Sequence, residues 1–250
     1  LERYLVDAIG VDAARVTNIV NGVDLDAFQP RGRRARAASC PFKGEHLWLC
    51  GTVGRLQPVK NQILLARAFV RALTDAPSLR SRMRLIIVGD GPLHADIRTI
   101  LEQGGVTDLA WLTGARSDVA DLLRMLDVFV LPSLAEGISN TILEAMATAL
   151  PVIATDVGGN AELVEDGVTG MIVPVNDIDR MAGALTRCAE APDAARNMGL
   201  EGRKKAERVY GIDAMVAQYD ALYTQLLARS RGQGRRGATA ATGQLTTESD

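Results

Sequence analysis

From residue 46 onward, the chain alternates between short apolar runs and stretches in which apolar residues recur every three or four positions. HLWLCGTVG (46–54), RLIIVGD (84–90), LAWLTG (109–114), VFVLPS (128–133), VIATD (152–156) and MIVP (171–174) predict buried strands. Between them, NQILLARAFVRAL (61–73), PLHADIRTILEQ (92–103), DVADLLRML (118–126), NTILEAMATA (140–149) and DIDRMAGALTRCAEA (177–191) carry helical spacing. A short helix is expected from Glu162 to Val164, and 192–229 is expected to be helical with a break near Gly211. Short apolar strands alternating with helices predict an α/β fold, a Rossmann-like parallel sheet with helices on both faces. Ligands of such sheets sit at the C-terminal ends of the strands, where loops lead into helices.

Two segments lie outside the alternation. Residues 1–45 hold a short helix, the phrase NIVNGVDLDAFQP (18–30) and the basic run RGRRAR (31–36), which is best explained as a solvated loop. Residues 230–250 are rich in Ser, Arg, Gly, Ala and Thr with little to bury, and are expected to be disordered.

Composition narrows the function. The chain has 250 residues, 47 % of them hydrophobic, enough for one large domain. A net charge of −2, from 28 basic and 30 acidic residues, gives no strong field for nucleic acid or an anionic membrane. Aromatics are only 4 %, which argues against stacking platforms for single strands. Cys40, Cys50 and Cys188 are scattered and odd in number, fitting reduced thiols in a cytoplasmic protein. His46 and His94 have no metal-ligand spacing to each other or to the cysteines.

The loops after the strands carry the candidate chemistry. GTVGRLQPVKN (51–61) contains Gly54 and places Arg55 and Lys60 five apart. A planar fork and a point charge on one loop suit a diphosphate; two solvated cations are the plainer explanation of the pair taken alone. The loop lacks the GxxxxGK[ST] spacing of a P-loop, and VGDGP (88–92) is not a GxGxxG fingerprint. VGDGP is either a tight turn or a place of close backbone approach. In LTGARSD (112–118), Gly114 and Arg116 can form the rim of a pocket for a flat base, and Asp118 suits the N-cap of the next helix. TDVGGNAELVEDGVTG (155–170) is a glycine-rich crossing that a simple turn explains nearly as well as a ligand does.

AEGISNTILEAMA (135–147) is the most informative stretch. Glu136 and Glu144 are eight apart on either side of a helix start, and the free amides of Ser139, Asn140 and Thr141 there form an anion site. Thr141 and Glu144 fit a capping box, T-x-x-E. Glu136 has no such local duty, and a carboxylate beside an anion site implies another donor for it, most naturally sugar hydroxyls. Phosphate on the amides and hydroxyls on the carboxylates is the pattern this stretch suggests.

Taken in order, NGVDLDAF, GRLQPVKN, VGDGP, DVADLLRMLDVFVLPSLAEGISNTILEAMA and LPVIATDVGGNAELVEDGVTGMIVP resemble the C-terminal, donor-binding domain of a family 4 glycosyltransferase with the GT-B fold, over roughly residues 15–225. The run around EGISNTILEAMA is also similar to a branch linked to bacterial exopolysaccharide synthesis. The resemblance implies that the family's E-x7-E motif falls on Glu136, touching hydroxyls of the transferred sugar, and on Glu144, holding the ribose. It implies that Arg55 and Lys60 bind the diphosphate, that Gly137, Ile138, Ser139, Asn140 and Thr141 offer amides to the phosphates, and that Glu136, Arg55 and Lys60 are the catalytic set. It further implies a retaining hexosyl transfer from a UDP- or GDP-sugar to a glycan or lipid-linked acceptor, with no cofactor and no bound metal. Two D-x-D strings, Asp24/Asp26 and Asp177/Asp179, are of the type metal-dependent transferases use; one lies in the interdomain phrase and the other starts a helix, so both read as structural.

The domain boundaries implied are 1–45 for the end of a first domain and its linker, 46–210 for the donor domain, 211–229 for a C-terminal helix and 230–250 for the tail. The acceptor half would then be missing, any peripheral membrane contact would belong to it, and apolar surface meant for it would be left exposed. A GT-B nucleotide-sugar 2-epimerase is the nearest alternative, opposed by the scarcity of histidine. A non-catalytic nucleotide-binding module is the other.

Overall fold

The computed structural model describes residues 4–30 and 39–241, with side chains through 228. The basic run 31–36 therefore lies outside the described residues, as does 242–250. The six strands are β1 (Trp48–Val53), β2 (Met83–Val88), β3 (Ala110–Leu112), β4 (Val128–Leu131), β5 (Val152–Thr155) and β6 (Gly170–Val173). All pair in parallel, in the spatial order β3-β2-β1-β4-β5-β6. The helices are α1 (Gln62–Asp75), α2 (His94–Gln103), α3 (Val119–Met125), α4 (Asn140–Ala147), α5 (Asn160–Leu163), α6 (Ile178–Glu190), α7 (Pro192–Val209) and α8 (Ile212–Ala241).

Successive strand residues point to opposite faces, and both faces are apolar. Cys50, Leu85, Ile87, Val128, Val130 and Ile153 pack with α1, α2 and α6. Leu49, Ile86, Val88, Phe129, Leu131 and Ala154 pack with α3, α4 and the end of α7. This double coverage is why the strands read as continuous apolar runs rather than as alternating ones. Cys40, Cys50 and Cys188 are buried and unpaired. Burial pushes the Cys50 thiol up and the Cys188 thiol up to about 12, so these two are inert fillers of the core.

Among the described residues of the N-terminal segment, short helical elements span Tyr4–Ala8 and Ala13–Arg15, where a short helix was expected. The C-terminal flank differs from expectation. Helix α8 runs on to Ala241, past the boundary of 229 and into the stretch expected to be disordered. Ala, Arg and Gln are strong helix formers, and their share of 228–241 carries the helix through three glycines. Among the described residues, no helix is long and apolar enough to cross a membrane.

The phrase NGVDLDAF is laced to the junction between α7 and α8. The Val23 amide donates to the Tyr210 carbonyl at 2.7 Å, and the Ile212 amide donates to the Val23 carbonyl at 3.1 Å. A side chain on Gly22 would come within 2.6 Å of the Ile212 backbone, so only glycine fits this crossing. Asp24 Oδ1 accepts from the amides of Asp26 and Ala27, and Asp177 Oδ1 accepts from the Arg180 amide as the cap of α6. Both D-x-D strings thus begin with a carboxylate engaged by its own backbone. Beyond this junction α8 exposes Ile212, Val216, Tyr219, Tyr223, Leu226 and Leu227 along its length.

Candidate functional site

The strand order reverses between β1 and β4, and at such a reversal the loops leaving the C-terminal ends of the two strands make the crevice where ligands of open parallel sheets bind. The β1 loop carries Gly54, Arg55 and Lys60; the β4 loop carries Ser133, Glu136 and the start of α4. The Leu134 amide donates to the Val59 carbonyl at 2.8 Å and ties the two loops together.

Lys60 and Glu136 meet across this crevice. Lys60 Nζ lies 2.7 Å from Glu136 Oε1, with side-chain exposures of 31 % and 8 %. The Ser133 hydroxyl donates to the same oxygen at 2.6 Å. Ser133 is itself buried, and its carbonyl accepts from the Thr155 hydroxyl at 2.6 Å; the Thr155 carbonyl accepts from Asn160 Nδ2 at 3.0 Å. A buried polar row, Asn160–Thr155–Ser133, therefore supports Glu136 from beneath. On the other side, Lys60 ends a short turn, Pro58–Lys60, and Gln62 at the start of α1 donates to the Arg55 carbonyl at 3.0 Å. The Arg55 side chain is exposed and has no partner among the described residues.

Helix α4 begins two residues earlier than the capping-box reading requires. Its N-cap is Ser139, whose hydroxyl accepts from the Ile142 amide at 3.4 Å and lies 3.1 Å from the Thr141 hydroxyl. The Thr141–Glu144 box is thus a misreading: Glu144 sits a full turn inside the helix, too far along to reach back to the cap. Its carboxyl has no partner among the described residues, and burial alone pushes it up to about 7. The amides of Gly137, Ile138, Ser139, Asn140 and Thr141 likewise find no acceptor among the described residues, leaving a row of donors at a positive helix end. Asn21 Nδ2 donates to Asn140 Oδ1 at 2.9 Å, so the NIVNGVDLDAFQP phrase also touches this helix start.

The glycines explain themselves by close approach. A Cβ on Gly158 would stand 1.8 Å from the Glu136 carbonyl oxygen, and the Gly159 amide donates to the Gly137 carbonyl at 2.9 Å. The glycine-rich crossing is therefore the wall against which the Glu136 loop rests. Likewise, a Cβ on Gly89 would lie 1.9 Å from the Gly54 carbonyl oxygen, while the Gly54 amide donates to the Val88 carbonyl and the Gly89 amide to the Gly114 carbonyl, each at 2.9 Å.

Arg116 and Gly114 lie at the end of β3, on the far side of β2 from Glu136. Arg116 donates to both oxygens of Asp118, at 2.8 and 2.7 Å, and to Ser39 Oγ at 3.0 Å. The guanidinium holds the Asp118 carboxyl below the usual carboxylate range. Asp118 stands at the N-cap position of α3 as expected, but its side chain makes no cap bond because Arg116 takes both its oxygens. Ser133, Gln62, Thr155 and Asn160 were not anticipated; a buried polar residue at the edge of an apolar run is the only signal the sequence carried for them.

The sheet order and its helices are those of a Rossmann-like half of a GT-B glycosyltransferase. Comparison with known proteins agrees with this class. The chain belongs to the family described as Glycosyl transferases group 1, whose model matches residues 49–191. It is 36 % identical over 202 residues to the D-inositol 3-phosphate glycosyltransferase of Kribbella flavida, covering 78 % of this chain and 47 % of that protein. It is 33 % identical over 221 residues to the UDP-Gal:alpha-D-GlcNAc-diphosphoundecaprenol alpha-1,3-galactosyltransferase of Escherichia coli, covering 87 % and 56 %. HepE of Anabaena, solved in complex with UDP, superimposes with a TM-score of 0.74 at 20 % identity, covering 87 % of this chain and 60 % of that one. The chain spans about half the length of the curated relatives it matches.

Proposed function

We propose that this chain is the donor-binding part of a retaining hexosyltransferase that takes a sugar from a UDP- or GDP-sugar to a glycan or lipid-linked acceptor. The observation that carries the proposal is the crevice between β1 and β4. There, Lys60 pairs with Glu136, Arg55 lies on the same loop as Lys60, and the open amides of 137–141 follow Glu136 on the other loop. Two cations and a helix N-terminus can stabilise charge developing on a departing nucleoside diphosphate, so the reaction needs no metal for that step. In this reading Glu136, before α4, takes sugar hydroxyls, and Glu144, one turn inside α4, takes the ribose. Uridine is favoured over guanosine because the galactosyltransferase relative names a UDP-sugar and HepE was solved with UDP. The acceptors in the relatives' names differ, a cyclitol phosphate in one and a lipid-linked sugar in the other, and the second is of the acceptor class proposed for this chain.

Calorimetric titration with UDP and with GDP, each with and without magnesium, tests the reading. Binding of one nucleotide without metal is expected, weakened about tenfold or more by either Arg55→Ala or Lys60→Ala, since a charge-assisted bond contributes about 1.5–3 kcal/mol. Binding unaffected by both changes would sink the proposal.

A further inference from the structure

The two cations assigned to the diphosphate are not equivalent. Arg55 is exposed and unpaired among the described residues, whereas Lys60 is held by Glu136 at 2.7 Å. Glu136 is the sugar-facing carboxylate of the same reading. An internal cation therefore neutralises the sugar subsite, and the sugar subsite's carboxylate neutralises half of the diphosphate subsite.

Resting on that donor-site reading, we propose that the Lys60–Glu136 pair is a built-in exchange that orders donor binding: the nucleoside diphosphate draws Lys60 off Glu136, and only then is Glu136 free to receive sugar hydroxyls. Three features favour the exchange over a fixed structural pair. The backbone of the Lys60 turn is anchored by the Lys60 amide donating to the Gln57 carbonyl at 2.9 Å and by the link between Leu134 and Val59. The exchange therefore needs only rotation of a flexible lysine side chain that is 31 % exposed. Glu136 stays in place, because Ser133 still donates to Oε1 at 2.6 Å and the close approach of Gly158 fixes its backbone. Finally, both protein contacts fall on Oε1, which leaves Oε2 without a protein partner among the described residues and open to a ligand donor.

Losing Lys60 leaves a mostly buried carboxylate without its counter-ion, which is unfavourable until hydroxyl donors replace it. The site thus disfavours a bare nucleoside diphosphate and reserves full affinity for one that carries a sugar.

The test is calorimetric titration of the whole chain and of Glu136→Gln with UDP and GDP, alongside thermal unfolding of each. Removing the competing charge should tighten nucleotide binding about three- to tenfold, the factor corresponding to one partly exposed ion pair of about 1 kcal/mol. Glu136→Asp, too short to hold Lys60 at its present distance, should shift affinity in the same direction and guards against misfolding of the first variant. If folded variants bind the nucleotide no more tightly than the unchanged chain, the exchange is overturned while the donor-site reading stands. If neither nucleotide binds the folded chain or its variants, the donor-site reading falls and the exchange with it.

Discussion

Glu144 offers the sharpest quantitative test. It is a half-buried carboxyl with no partner among the described residues, and burial raises it from an ordinary 4.5 to about 7. The folded chain therefore holds an extra proton between those two values, and stability falls as pH rises through that window and levels off above it. One pH unit corresponds to ~1.36 kcal/mol, so the full effect would be roughly 3 kcal/mol; partial solvent exposure should leave about 1–2 kcal/mol. Glu144→Gln keeps the shape and removes the charge. Urea unfolding at pH 8 should show the variant more stable by that 1–2 kcal/mol, and at pH 5 about half of the gain should remain. Nucleotide affinity should fall in the same variant, because a carboxylate kept at a cost to stability is expected to serve a ligand. A variant no more stable than the parent at pH 8, or a difference independent of pH, would refute both the burial argument and the sign drawn from it.

Three further outcomes follow from the geometry. Gly158→Ala combines a left-handed backbone with an overlap against the Glu136 carbonyl, and should cost about 3 kcal/mol, a fall of roughly 6–12 °C in Tm by calorimetry. Ser139→Ala removes the true cap of α4, and should lower stability by about 0.5–1 kcal/mol, the low end of the range because its bond is long; Thr141→Ala should cost less, and the reverse order would restore the capping box. Arg116→Ala should weaken UDP binding by less than about fivefold, against tenfold or more for Arg55→Ala, because its guanidinium is already engaged by Asp118.

The fold was legible because the sheet is buried on both faces. Every strand is announced by a short apolar run and every following helix by its change of period, so the six strands were found with ends displaced by only a residue or two. Their order was not legible, since it depends on which side of β1 each crossover lands. It is that order which puts the loops of β1 and β4 side by side. Lys60 and Glu136 could be named separately, but nothing in a one-dimensional pattern says that they form an ion pair. The capping box failed for a local reason: Ser139 and Thr141 both carry hydroxyls suited to a cap, and the earlier one wins by starting the helix a turn ahead of Glu144. Similarly, Gly158 and Gly159 could be read as a turn or as a close approach to a ligand, because their actual purpose, contact with a loop some twenty residues away, is invisible until the chain is folded. Over 230–241 the tail departs from expectation because weak hydrophobicity argues for disorder while alanine and arginine favour helix.

The lacing of Gly22 and Val23 against Tyr210 and Ile212 has a mechanical consequence. The path into the sheet body and the path out of it cross at one point, tied by two backbone hydrogen bonds. The same entry segment is clamped further along, where Arg203 donates to the Leu25 and Phe28 carbonyls, Arg124 donates to the Ala27 carbonyl and Asn21 meets Asn140 at the head of α4, so the incoming chain and the donor site form one stiff unit. The same geometry makes the body easy to cut out or transplant, because a host chain need offer only two neighbouring attachment points to carry it.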